Sequence, residues 1–463
     1  MKVTYQNTRE DLLAFYHHYL KDLPEGRRDF RRFIFYFQLI PLFLAAWAAV
    51  RGDWVSGVIA YVVVVGIVLL VGRKATREQI ARALVRRGLK RRETLEYHPQ
   101  SLTLSSDGIR YESELTDGLR SWRGTTGIGK TTHHVFLHIE QASAFIVPAR
   151  AFDSIDGFER FHSLACQYRE EAMNRKGASG IHIRDPFVVP VTEEGKYYLY
   201  GTTDENCWGG PGTGFDVYCS SNLREWEGPL PAFRPGADFW ATENFWAPEV
   251  HRWRGRYFMF ASFKAPWVCR GTQILVADGP RGPFTPHSPG RVTPPLWECL
   301  DGTFFVDDGG NPWMVFCHEW VQVHDGEVCV MPLTPELDRP AGEPILLFRA
   351  SDAPWVKKAP DQKDFVTDGP FAYRTAKGTL LLLWSSFGSQ GYAIGVARSA
   401  SGKITGPWLH DPQPLYGKDG GHGMLFRTFD GRLMLTIHTP NQTPNERPVF
   451  LPVREEDDRL VVE

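Results

Sequence analysis

Residues 181–463 predict an all-β fold, a five-bladed β-propeller. Residues 1–172 predict an N-terminal two-helix transmembrane hairpin joined to a small α+β module. Three observations carry this. A turn followed by an apolar strand recurs five times in the C-terminal part. Two uncharged apolar runs stand near the start. Between these parts lies a stretch of alternating apolar and polar residues that ends in a helical pattern.

The repeat decides the larger part. Its strands are Lys196–Tyr200, Arg256–Ser262, Pro312–Cys317, Leu380–Ser385 and Leu433–His438. Each follows a polar turn: Glu194-Gly195, Arg254-Gly255, Gly309-Gly310, Lys377-Gly378 and Asp430-Gly431. The spacing is about 50 to 65 residues, the scale of a four-stranded propeller blade. The blade ends rhyme as well, in Glu227-Gly228-Pro229, Arg281-Gly282-Pro283 and Thr405-Gly406-Pro407. A propeller gathers its inner strands around one axis, so residues distant in sequence converge on one pocket.

Three carboxylates stand near the starts of different repeats: Asp185 in Arg184-Asp185-Pro186, Asp301 in Leu300-Asp301-Gly302, and Asp368 in Thr367-Asp368-Gly369-Pro370. Each alone reads as a turn former. Together, at what read as corresponding points, they suit the cleavage of glycosidic bonds. One carboxylate activates water, a second protonates the departing oxygen, and a third tunes that acid. Trp208, Phe245, Trp246 and Trp297 lie in loops or strand ends where a sugar ring can stack.

These motifs resemble glycoside hydrolase family 43, the α-L-arabinofuranosidases, β-xylosidases and arabinanases. The resemblance covers about residues 181–463, through Arg184-Asp185-Pro186, Trp246–Val250, Leu300–Gly309, Thr367–Pro370 and Gly420–Gly423. It implies release of terminal arabinofuranosyl or xylosyl residues from oligosaccharides by inverting single displacement. It further implies Asp185 as general base, Asp301 as modulator of pKa, and Asp368 in the place of the general acid. The family's acid is usually Glu, and Asp reaches roughly 1.5 Å less far. An error of about 1 Å in a catalytic group can cost on the order of a hundredfold in rate. Glu319 is the alternative acid, with Glu249 after it. A carbohydrate-binding propeller without turnover is the alternative function. The family also implies a histidine near the axis that faces a calcium ion, and His422 is the candidate, although calcium prefers oxygen ligands. No other cofactor is expected.

In the first part, residues 33–50 and 54–72 are each about long enough to cross a bilayer. Arg27, Arg28, Arg31 and Arg32 precede the first run, and Arg73, Lys74, Arg77 and Arg82 follow the second. The positive-inside rule then predicts a multi-pass protein of the cell membrane with both termini, and the hydrolase part, in the cytoplasm. Residues 1–92 thus read as an amphipathic helix over Met1–Leu20 plus two spans in contact with lipid. Residues 93–172 read as an α+β module that resembles YcxB-like proteins, through Ser121-Trp122-Arg123 and Ile146–Arg150. Residues 173–180 read as a polar linker.

Gly124–Thr131 fits the phosphate-binding P-loop pattern. That pattern needs a following helix, and Val135–Ile139 reads as a strand instead. The segment is therefore expected to be a Gly/Thr-rich hairpin turn that binds no nucleotide. The net charge is −2 over 463 residues, which argues against nucleic acid as a partner. The seven cysteines are scattered and odd in number, which suits reduced thiols in a cytoplasmic setting.

Overall fold

The computed structural model describes residues 1–50, 55, 57–59, 61–63, 72–91, 99–114, 116–140, 143–359 and 363–463. For 37–49, 72–76, 87–91 and 140 it describes the backbone alone. The chain forms two compact units, Met1–Asn174 and Arg175–Glu463.

In the first unit, Lys2–Tyr5, Gln100–Ser105, Gly108–Ser113 and Asp117–Arg120 form one antiparallel sheet in that order. Gly127–Lys130, His134–Glu140 and Ser143–Pro148 form another. The amphipathic pattern of residues 1–20 hid a strand. Val3 and Tyr5 turn inward, Lys2 and Thr4 turn outward, and all four pair with Gln100–Thr103. The helix Arg9–Asp22 starts only after Thr8. Thr8 Oγ1 accepts the Asp11 N–H at 3.4 Å, and Asp11 Oδ2 accepts the Thr8 N–H at 2.6 Å, a capping box. The helix Ile155–Asn174 buries Phe158, Phe161 and Ala165 with Leu102, Trp122, Val135 and Leu137.

One expectation is corrected here and another finds no support. Gly124–Thr131 holds the entering strand of a hairpin rather than its turn: Gly127–Lys130 pairs with Val135–His138. The expected first span, 33–50, lies within the helix Pro24–Val50. The second, 54–72, lies for the most part outside the described residues. Among the described residues no helix is long and apolar enough to cross a membrane, so they lend the two-span hairpin no support.

The second unit is an all-β propeller. Among the described residues it forms five antiparallel sheets, with inner strands Arg184–Val191, Glu243–Trp253, Cys299–Val306, Asp368–Arg374 and Gly421–Arg427. Each inner strand contacts the next, and the fifth contacts the first, which closes a ring. The second strands are Lys196–Thr202, Arg256–Ala265, Pro312–His318, Leu380–Gly388 and Leu433–Thr439. The core is a set of apolar layers between neighbouring sheets. Tyr200, Phe215, Met259 and Phe263 fill one, and Val315, Val330, Leu382 and Trp384 another. Burial on both faces explains why strands such as Leu380–Ser385 read as unbroken apolar runs. Lys176–Gly177, expected in a loose linker, pairs with Glu225 and Trp226 at the outer edge of the first sheet.

The ring closes without a shared sheet. All strands of the first sheet come from the start of the unit, and all strands of the fifth from its end. Side chains join them: Arg184 Nη1 donates to Glu446 Oε1 at 2.6 Å, and Tyr197 Oη accepts the Phe429 N–H at 2.8 Å.

Each inner strand carries a β-bulge at the same register. Opposite the gap stand the pairs Arg184↔Thr202, Trp246↔Ser262, Leu300↔Cys317, Asp368↔Ser385 and Gly421↔His438. The next residue is left-handed in all five: Asp185 (φ 54°), Ala247 (46°), Asp301 (59°), Gly369 (49°) and His422 (45°). Such a bulge bends the strand and re-aims its side chain. It turns Asp185, Asp301 and His422 toward one another at the axis. Non-glycine residues seldom adopt this backbone, and where they do they cluster at functional sites.

Candidate active site

The bulges open into a cavity of about 670 Å³. Its lining includes Arg184, Asp185, Trp208, Trp246, Asp301, Glu319, Asp368, Tyr392 and His422. The structure therefore brings together the three predicted carboxylates, from three different sheets. They are not at one register, as the sequence suggested. Asp185 and Asp301 are bulge residues, whereas Asp368 stands one position earlier, opposite Ser385, and Gly369 takes the bulge position.

Asp185 is fastened on all sides. Thr202 Oγ1 donates to its Oδ2 at 2.7 Å, and His422 Nδ1 lies 3.2 Å from its Oδ1. Its own N–H reaches His438 Nδ1 at 3.1 Å. That acceptor role fixes His438 with its proton on Nε2, 3.1 Å from Asn441 Oδ1. Burial alone would raise Asp185, but His422 and Arg184 hold it below the ordinary Asp value. It is ionised at neutral pH. Arg184 is buried, lies over the Trp208 ring at 4.8 Å and is paired with Glu446.

The other two carboxyls are shifted the opposite way. Burial, with the nearby Asp185, raises Asp301 well above the ordinary value. Burial and then Asp301 push Asp368 up to about 7, against His422 and a hydrogen bond from Tyr392. Tyr392 Oη donates to Asp368 Oδ2 at 2.9 Å, and the Gly369 N–H donates to Asp301 Oδ2 at 3.0 Å. The cluster thus holds one carboxylate ready to take a proton and a carboxyl pair that keeps one.

The alternative acids sit differently. Glu319 lines the cavity but is ion-paired with Arg270, whose guanidinium lies over the Trp246 ring at 4.0 Å. Burial raises Glu319, and Arg270 draws it back. Glu249 is buried, is pushed up to about 8 by that burial, and is absent from the cavity lining.

Two of the four predicted aromatics belong to the site. Trp246 lines it with its Nε1 anchored on the Cys207 carbonyl at 2.7 Å, and its ring meets Trp208 edge-on at 5.2 Å. Trp208 is 54% exposed at the rim. Phe245, next in sequence to Trp246, points the other way into the aromatic core with Phe215, Phe233 and Phe263. Trp297 stacks on His318 at 4.2 Å and does not line the cavity. His422, the residue expected to face a calcium ion, lines the cavity. Its Nδ1 faces Asp185 and Asp301, and among the described residues no group of three or more His, Cys, Asp or Glu is placed to hold a metal ion. Tyr392, Arg270 and Asn441 were not found from sequence. Tyr392 and Arg270 follow no motif, Asn441 only opens an Asn-Gln-Thr glycosylation pattern, and the fold brings Tyr392 and Asn441 to the cavity.

The family model described as glycosyl hydrolases family 43 matches residues 180–458, and that of YcxB-like protein matches residues 104–165. The chain is similar to a crystal structure of an endo-arabinase from Bacteroides thetaiotaomicron, with 41% identity and a TM-score of 0.57 over 61% of this chain and 98% of that one. It is also similar to an extracellular exo-alpha-(1->5)-L-arabinofuranosidase of Cellvibrio japonicus, with 24% identity over 58% of this chain and 82% of that protein. An endo-1,4-beta-xylanase structure from Bacteroides thetaiotaomicron shares the fold at a TM-score of 0.52 and 22% identity, over 62% and 96% of the two chains. With its carboxylates gathered at the axis of a propeller that the family model spans almost end to end, the chain belongs to glycosyl hydrolases family 43.

Proposed function

We propose that the protein hydrolyses arabinofuranosyl linkages in oligosaccharides by single displacement with inversion, with xylosyl linkages as the second class. Asp185 Oδ1 takes the proton of a water that attacks the anomeric carbon. Asp368 gives its proton to the departing oxygen from the other side of the sugar, and Asp301 keeps that proton on Asp368 until it is needed. What carries this reading is the gathering of Asp185 and Asp368 in one cavity in unlike surroundings: His422 and Arg184 draw Asp185 below its ordinary value, and burial and Asp301 push Asp368 up to about 7. A general acid is most effective with a pKa near the working pH. Arabinose is placed before xylose because two of the similar proteins are named for acting on arabinose polymers or their units. Trp246, with Trp208 at the rim, supplies apolar surface for the sugar. A sugar-binding propeller without turnover has no need of a carboxyl held near neutral pKa.

The test is proton NMR of the first product formed from an aryl α-L-arabinofuranoside, with the aryl β-xyloside in parallel. Inversion gives the opposite anomer before mutarotation. A product with the anomeric configuration of the substrate, or no turnover of either glycoside, overturns the proposal.

A further inference from the structure

Four of the five junctions between neighbouring sheets are fastened alike. Thr202, Ser262, Ser385 and His438 stand at one register and accept the N–H of the next sheet's bulge residue: Ala247 at 2.9 Å, Asp301 at 2.9 Å, His422 at 2.8 Å and Asp185 at 3.1 Å. The third sheet differs. Cys317 holds that register, opposite Leu300, and is fully buried. A thiol sulfur is a weak acceptor. The N–H of the next bulge residue, Gly369, reaches Asp301 Oδ2 at 3.0 Å instead.

This exception falls where it matters chemically. Asp301 faces Asp185, Glu249 and Glu319, with His422 Nδ1 at 3.6 Å. Asp368 faces Asp301, Asp185, His422 and Tyr392. With Asp185 ionised, burial and like charge raise both Asp301 and Asp368, and their titration belongs to the pair. A hydrogen bond donated to one carboxylate favours its ionised form. The Gly369 N–H draws Asp301 toward that form as the Tyr392 hydroxyl draws Asp368, so loss of either bond moves protonation toward the carboxyl that lost it.

We infer that Cys317 is a positioning residue: its thiol leaves the Gly369 N–H unclaimed, so that N–H goes to Asp301, favours its carboxylate form and shifts protonation toward Asp368. This rests on the roles proposed above for Asp301 and Asp368. A hydroxyl at this register is competent to take the N–H, because Ser262 and Ser385 do so in their own sheets.

The test compares Cys317→Ser with Cys317→Ala in the full chain. In a crystal structure of C317S the hydroxyl is expected on the Gly369 N–H, with Asp301 Oδ2 released. In kinetics, kcat/KM of C317S on unactivated arabino-oligosaccharides is expected to fall about tenfold or more, the scale of one charge-assisted hydrogen bond. Its activity on aryl arabinofuranosides, which need little protonation, is expected to change by less than about threefold. C317A has no acceptor to offer, so the ratio between the two substrate types stays within about threefold of the unsubstituted chain, whatever the lost sulfur costs in stability. A C317S structure with Gly369 still on Asp301 overturns the inference, as does equal loss on both substrates or the same ratio change in C317A. Should Asp368→Ala show no dependence on leaving group, the proposed roles fail, and the crystal structure of C317S still decides whether the thiol leaves that N–H free.

Discussion

Replacing Tyr392 by Phe removes one hydrogen bond from the proposed acid and little else. The tyrosine is 2% exposed, its ring stacks on His438 at 5.6 Å, and phenylalanine keeps that ring. What goes is the Oη donor 2.9 Å from Asp368 Oδ2. That bond is stronger to the ionised carboxylate, so it holds the Asp368 pKa down, against the burial and the Asp301 charge that raise it to about 7. A hydrogen bond to a charged group is worth about 1.5–3 kcal/mol, and each pKa unit corresponds to about 1.4 kcal/mol. The alkaline limb of kcat/KM, which reports the acid of the free enzyme, is therefore expected to move up by about one unit. The plateau below it should change by less than about threefold, since the acid is already protonated there. The assay is the pH profile of kcat/KM on a poor-leaving-group arabinoside, from pH 5 to 10. A limb that stays in place, or moves down, refutes the assignment of Asp368 as the titrating acid.

Three further outcomes follow from the same geometry. Asp185→Asn is expected to lower kcat by about a hundred- to ten-thousandfold, because an amide takes no proton from water. Binding of arabino-oligosaccharides by calorimetry should stay within about threefold, and near-normal turnover would remove Asp185 from the mechanism. Asp368→Ala should cut turnover of poor leaving groups by about a hundredfold or more while sparing activated aryl glycosides, and the alkaline limb should vanish. If Glu319→Gln does this instead, the acid is Glu319. In the first unit, Asp11 is buried, and although burial opposes it, hydrogen bonds from Arg150, His134 and Thr8 hold its carboxyl well below the ordinary value. A depressed carboxyl stabilises the fold above its unfolded value near pH 4, and that stability fades as pH falls through the lower folded value. Asp11→Ala should cost about 2–3 kcal/mol at pH 7 and flatten this acid dependence, read as faster hydrogen exchange of the Val135 to Leu137 amides.

The propeller was legible because its turns recur with apolar strands behind them, and a repeat survives loss of detail at any one position. The site was legible in part. Asp185, Asp301 and Asp368 were found as acids beside Gly or Pro, but their registers were not. The bulges align Arg184-Asp185-Pro186 with Asp368-Gly369-Pro370 by their prolines, so the left-handed residue in the second is Gly369. Phe245 and Trp297 were misplaced because nearness in sequence to an acid does not say which face of a strand a ring occupies. Tyr392 and Arg270 sit on third strands, where no local pattern marks them, and only the folded ring brings Tyr392 to the cavity and Arg270 to Glu319 behind it. Lys2–Tyr5 was hidden because its partner lies about a hundred residues away.

The joint between the first and fifth sheets has a consequence for how the enzyme fails. No strand crosses it, and the proposed base lies on it, tied by its own N–H to His438 and by its carboxylate to His422, both from the last sheet. Parting that joint by an ångström dismantles the nucleophile-activating end of the site while all five sheets keep their hydrogen bonds. Inactivation on heating is therefore expected to begin as a latch springing open at this joint, ahead of any loss of β-structure that circular dichroism registers. A ligand bound in the cavity that both Asp185 and His422 line would act in the opposite sense, as a clasp, coupling occupancy to the integrity of the ring.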